Sequence, residues 1–178
     1  MVAQKQRDFD QAQSLYRKSL DINLKIGNQA GAAGSYHQLG RVAQEQRDFD
    51  QAETWYRKSL DIKLQLGNQA GAASSYHQLG NVAYLQRDFD EAQTWYRKSL
   101  DLFLQLGHPH HAAMSQAQLG LLAFLQNDGE VGTNWLIGAL RLFQVTNDPH
   151  GLLRNVRNLR NLGLKRGLVD PPTIERLW

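Results

Sequence analysis

Residues 36–67 read YHQLGRVAQEQRDFDQAETWYRKSLDIKLQLG, and the spacing of apolar side chains within them decides the fold. With Ala32 just upstream, Tyr36, Leu39 and Ala43 recur at intervals of 4, 3 and 4, one face of a helix over about residues 30–46. Beyond the polar RDFD turn, Phe49, Ala52, Tyr56, Leu60 and Leu64 follow at 3, 4, 4 and 4 and predict a second helix. A capping box from Asp50 to Glu53 is expected to start that helix. Gly67 is suited to the left-handed position that ends it. Gly40 is a poor helix former, and its expected use is to let a neighbouring backbone come close. No strand-like alternation occurs anywhere in the chain, so the expected class is all-α.

The unit is repeated. RDFDQA at Arg7 and Arg47 and RDFDEA at Arg87 recur with a period of 40, and a worn copy, NDGEVG, begins at Asn127. Residues 7–46 and 47–86 match at 30 of 40 positions, and residues 47–86 and 87–126 at 26 of 40. Such a period describes one supersecondary unit stacked on copies of itself. The units run over 7–46, 47–86, 87–126 and 127–148, giving a repeat region 1–148 and a C-terminal helix and tail, 149–178, read as a cap. The sister capping boxes are Asp10–Gln13 and Asp90–Gln93, and the sister terminating glycines are Gly27 and Gly107.

Tyr76, Leu79, Gly80, Phe89, Ala92, Tyr96 and Leu100 fall in the order and spacing of the tetratricopeptide repeat, and Tyr36, Leu39, Gly40, Phe49, Ala52, Tyr56 and Leu60 repeat the set. The chain therefore resembles that family, in a subclass with a period of 40 rather than 34 similar to kinesin light chain and Pins-type adaptor repeats and to the arrays attached to bacterial signalling ATPases. Arg47 and Arg87 stand where the family usually has a turn glycine, and Ser59 and Ser99 where it has alanine. The resemblance implies a right-handed α-solenoid of stacked antiparallel helix pairs. It also implies a concave groove, lined by the first helix of each pair, that holds a partner peptide or helix. Carried over residue by residue, the groove positions are His37, Arg41, Gln44 and Glu45; then His77, Asn81, Tyr84 and Leu85; then Ala117, Leu121, Phe124 and Leu125, with Met114 one turn earlier. These positions differ between copies while the framework does not, as Arg41/Asn81/Leu121 and Gln44/Tyr84/Phe124 illustrate; a differentiated contact face and drift at solvent-exposed positions both give such a contrast. Leu121 and Phe124 have an alternative use, packing against the last helix over Leu152, Val156, Leu159 and Leu162.

Composition narrows the function. The chain has 178 residues, 42% hydrophobic and 21% charged, with no stretch near the roughly 18–20 apolar residues of a membrane span. The polar start, Met1 to Asp10, has no signal-peptide core, so a cytoplasmic setting is the default expectation. The absence of cysteine removes disulfides, thiolate metal sites and thiol nucleophiles. No phosphate-binding glycine loop, HExxH, calcium loop or nucleophile elbow is present, and the repeated carboxylates are explained by turns and caps. The expectation is a non-catalytic protein without a cofactor. His108, His110 and His111 make the single metal-like run, and a polar inter-repeat turn explains it as well. Trp55, Trp95 and Trp135 are read as packing residues.

The net charge of +3 is uneven: residues 151–178 hold six Arg/Lys against two acids, and residues 1–150 fourteen against fifteen. Arg154, Arg157 and Arg160, followed by Lys165 and Arg166, could contact phosphates, which makes a nucleic-acid regulator one alternative; a charged outer face for a terminal cap is the plainer account. The other alternative is a self-associating scaffold. Val2 to Gln6 match only the end of a first helix, so the opening second helix, from about Asp10, is expected to show an uncovered apolar face. Either the chain is a piece of a longer array, which is the preferred reading, or that face meets another molecule, a second copy included.

Overall fold

The computed structural model describes residues 2–163 with Gly167 and Pro172, and side chains from Asp8 onward. Among these, the elements are helices α1 (Val2–Lys25), α2 (Gln29–Glu45), α3 (Phe49–Gln65), α4 (Gln69–Gln86), α5 (Phe89–Gln105), α6 (Pro109–Leu125), α7 (Gly129–Val145) and α8 (Pro149–Asn158). A π-helical turn, Leu159–Gly163, continues α8, and no strand occurs among the described residues. The remnant 173–178, with Lys165 and Arg166, lies outside the described residues.

Every turn contains one left-handed residue. Gly27, Gly67 and Gly107 take φ of 70°, 66° and 69° as expected, and Asn147 takes 51° in the last copy. The other turn uses Arg47 and Arg87 at 65° and Asn127 at 63°. A non-glycine residue there costs on the order of 1 kcal/mol. The helix-end geometry holds it in place: the Asp48 amide reaches back to the Ala43 carbonyl at 2.9 Å and the Arg47 amide to Gln44 at 3.0 Å, a Schellman arrangement.

Three local expectations are corrected. Helix α3 is capped by Asp48 and not Asp50: the Asp48 carboxylate accepts from the Gln51 amide at 3.2 Å, because the left-handed Arg47 starts the helix two residues earlier. Asp50 instead accepts from the Gln86 amide group at 3.0 Å, and Asp90 does the same with Gln126 at 3.2 Å. Secondly, Arg7 and Asp8 lie inside one continuous helix, although the same RDFD sequence turns in the later copies. Thirdly, Leu64 is 50% exposed, and its neighbour Lys63 is buried in its place.

The chain forms two compact units, Met1–Asp88 and Phe89–Trp178. In the first, α1, α2, α3 and α4 pack consecutively. Leu20, Ala32 and Leu39 are buried together, with Tyr16, Tyr36, Trp55 and Ile62 closing over them. Gly40 does serve a close approach, but to a ring: a β-carbon there would stand 2.8 Å from the Tyr56 ring, which is fully buried. Ser59, likewise fully buried, donates to the Ala33 carbonyl at 2.8 Å, so the serine at a usual alanine position is bonded and not wasted.

In the second unit, α5 packs on α6, α6 on α7 and α7 on α8. Its core joins Phe124, Leu136, Leu140 and Phe143 with Val156 and Leu159 of the last helix. That helix is therefore part of this unit's core. Pro109 and Pro149 occupy the opening turns of α6 and α8, where a missing amide proton costs nothing.

Candidate functional site: the faces of the first helices

In the first unit the expected contact residues come from α2 and α4. Arg41 and Glu45 are exposed, and their charged groups stand 4.0 Å apart, a solvated pair of little energetic weight. Arg41 also donates to Gln38 at 3.3 Å. Asn81 is half-buried and donates to Gln78 at 3.0 Å; Tyr84 is half-buried and Leu85 is 43% exposed. Two of the expected residues are turned inward. Gln44 accepts from the Tyr56 hydroxyl at 3.0 Å, and His77 is only 8% exposed. His37 packs against Tyr56 with ring centroids 5.3 Å apart, and its Nδ1 is buried without a hydrogen bond. Burial, followed by the positive charges of Lys63 and Arg41, pushes its pKa down to about 4, so His37 is neutral at pH 7.

Lys63 is the buried group that sequence reading missed. Its ammonium donates to the Ser75 hydroxyl at 2.9 Å, and burial lowers its pKa to about 8. Its register equivalents are Asn23, Phe103 and Phe143, so comparison of the copies marks Lys63 as the one charged residue at this position, although not that it is enclosed. The same burial pushes the Tyr56 phenol up.

In the second unit the contact residues come from α6. Met114 and Leu121 are half-buried and Leu125 is half-exposed. Phe124 is corrected: at 3% exposure it belongs to the core with Val156 and Leu159, its ring lying 2.6 Å from where a β-carbon on Gly132 would stand. Ala117, at 6%, is also core. The packing alternative thus holds for Phe124, while Leu121 keeps part of its surface.

The histidine run does not converge. His108 and His111 meet edge-on with centroids 6.1 Å apart, His110 and His111 at 5.4 Å, and the His110 Nδ1 stands 3.5 Å from an Asp148 carboxylate oxygen. No group of three or more possible ligands is placed to hold a metal among the described residues. Asp148, one repeat later, is the partner that sequence proximity did not reveal. Burial and the two neighbouring imidazoles lower the His111 pKa. The tryptophans each have their own partner: Trp55 stacks on Tyr36 at 5.6 Å, Trp95 donates to Glu91 at 3.0 Å, and the Arg97 guanidinium lies 5.9 Å from the Trp135 ring.

Stacked helix pairs joined by these two turns define a repeat scaffold. A family model for the tetratricopeptide repeat matches residues 1–65 and 71–130, and the chain belongs to that family. No curated protein matches it significantly. Among solved structures it is similar to a Podosopora anserina putative kinesin light chain with nearly identical TPR-like repeats (TM-score 0.75, 14% identity, 98% of this chain and 85% of that one). It is also similar to BtubC (BKLC) from P. vanneervenii (TM-score 0.66, 19% identity, 94% and 78%). A third is the N-terminal domain of stress-induced protein-1 from C. elegans (TM-score 0.61, 20% identity, 76% and 97%). At these identities the likeness is one of fold. Tetratricopeptide repeats are in general protein–protein interaction modules. No described helix is long and apolar enough to cross a membrane.

Proposed function

We propose that this chain is a non-catalytic adaptor, cytoplasmic in setting, that binds a peptide or helix of a partner protein on the faces of its first helices. The observation that carries this reading is where the copies differ. Leu39, Leu79 and Leu119 are invariant among the three full repeats and at most 2% exposed. Arg41, Asn81 and Leu121, two residues further along, differ in every copy and reach the surface. A constant buried frame with a differentiated outer row is what a repeat scaffold adapted to one partner requires. In the first unit Arg41, Glu45, Asn81, Tyr84 and Leu85 offer charge, an amide and an aromatic ring; in the second, Met114, Leu121 and Leu125 offer apolar surface. A rigid, preformed face leaves most of the ordering cost with the partner segment.

The test is capture of partner proteins from lysate by the wild type and by an Asn81→Ala/Tyr84→Ala variant, with circular dichroism on both. Loss of a specific protein partner with an unchanged melting curve supports the reading. Equal capture by both, or no specific partner for either, refutes it.

A second reading has its own observation. Leu15, Ile22 and Ile26 of the first unit share one face of α1 and its extension and are 58%, 59% and 69% exposed, whereas Trp55 and Ile62, the counterparts of the first two, are packed against the core. Such a face supports self-association, and a mass that rises with protein concentration would establish it.

A further inference from the structure

Helix α1 departs from the later second helices along its exposed row. Position 15 holds leucine where 55, 95 and 135 hold tryptophan. Lys58 and Lys98 lie over the Trp55 and Trp95 rings, 4.8 and 4.5 Å from the centroids, whereas their register equivalent Lys18 is exposed and has no ring partner among the described residues. At 3.6 residues per turn Leu15, Ile22 and Ile26 point the same way. To one side of that row Tyr16 and Leu20 pack with Ala32 and Leu39 of α2. Ser19 and Asn23, on the same side, are bonded to each other and to Ser35. On the other side Lys18, Asp21 and Lys25 border the row, all exposed, and neither Lys18 nor Asp21 has an ion pair among the described residues. Helix α8 presents a different surface: Arg154, Arg157 and Arg160 are exposed, and residues 149–163 contain no acidic side chain.

We infer that the α1 row is the contact of a closed, twofold homodimer in which α1 packs antiparallel on α1 of a second copy, Leu15 of one protomer beside the partner's Ile22 and Lys18 beside the partner's Asp21. This rests on the reading that the α1 face supports self-association, and it adds the surface that meets that face. Charge complementarity names the second copy. An antiparallel twofold sets the same flank of both helices together in reversed order, so a lysine and an aspartate three residues apart each meet the other's equivalent. The flank is therefore complementary to itself. A head-to-tail contact with α8 would instead set Lys18 and Lys25 against three arginines, with Asp21 alone to offset them, and would propagate as an open chain of molecules. Leucine at position 15 suits helix-on-helix packing, because unlike tryptophan it brings no N–H group that needs an acceptor once buried.

The experiment is sedimentation equilibrium of the full chain over about 1–200 µM, as wild type, Ile22→Glu, Lys18→Asp and the charge swap Lys18→Asp/Asp21→Lys. The wild-type mass is expected to rise towards that of two chains and no further, and Ile22→Glu is expected to stay at the mass of one. Lys18→Asp sets like charges together on both sides of the twofold and is expected to weaken the dimer roughly tenfold, while the swap returns it to within about threefold of wild type. Exposed substitutions leave melting nearly unchanged, which circular dichroism checks on each protein; Leu15→Glu on the same row replaces Ile22→Glu if that variant melts early. A wild type that stays monomeric throughout overturns both the inference and the self-association reading. A mass beyond two chains, or a dimer that Ile22→Glu leaves intact, overturns the α1 pairing and leaves self-association standing. A swap no stronger than Lys18→Asp alone refutes the antiparallel arrangement, and the inference with it.

Discussion

Replacing Lys63 by methionine is expected to stabilise the protein at neutral pH, against the usual direction for a buried substitution. The side chain is 8% exposed, its ammonium has the Ser75 hydroxyl as hydrogen-bond partner, and burial alone lowers its pKa from 10.5 to about 8. A lowered lysine pKa means that the unfolded chain holds the proton more tightly than the folded one. Folding is therefore penalised while the group is charged. The full penalty is present below pH 8, shrinks as pH rises from about 8 to 10.5, and is gone once both states are neutral. At about 1.4 kcal/mol per tenfold, that interval corresponds to a penalty on the order of 3 kcal/mol at pH 7. Methionine keeps the length and apolar stem and removes the charge; the Ser75 hydroxyl loses a donor, which gives back about 1 kcal/mol. The net expectation is a gain of about 1–2 kcal/mol at pH 7. Urea denaturation of both proteins at several values between pH 7 and pH 10.5 measures it, the difference cancelling groups that titrate alike in the two. The gain must fall as pH rises and vanish or reverse near 10.5. A difference that is flat across this range, or a variant less stable at pH 7, refutes the claim that folding buries a charge at this position.

Other substitutions separate the roles assigned above. Gly40→Ala places a β-carbon 2.8 Å from the Tyr56 ring and is expected to lower stability by about 1–3 kcal/mol, read from a denaturation midpoint. Asp48→Ala removes the cap of α3 and is expected to cost about 1 kcal/mol, with Asp50→Ala costing clearly less; the reverse order would restore Asp50 as the cap. Phe124→Ala empties a core position and is expected to cost about 3–5 kcal/mol, whereas Leu125→Ala, at a half-exposed position, is expected to change the melting temperature little.

The all-α class, the helix pairs and the family were legible in the chain because they depend on local periodicity repeated several times: the apolar intervals, the left-handed glycines at 27, 67 and 107, and the constancy of Leu39, Leu79 and Leu119 all point the same way. What escaped the sequence depends on which atoms meet across helices. The capping residue moved from Asp50 to Asp48 because a left-handed arginine, which local preference disfavours, is held by the packed helix end. The RDFD stretch turns at Arg47 and stays helical at Arg7, so an identical sequence takes the shape that its surroundings allow. Of the thirteen expected contact residues His77, Ala117 and Phe124 are buried, and the reason lies in neighbours, as where the Tyr56 hydroxyl bonds Gln44 and Val156 and Leu159 pack with Phe124. Lys63 reads as a surface lysine in a string of residues and becomes a buried charge only once α4 brings Ser75 to it. Periodicity states which face of a helix turns inward; how completely that face is covered is decided by packing, because coverage belongs to the neighbouring helices and not to the residue itself.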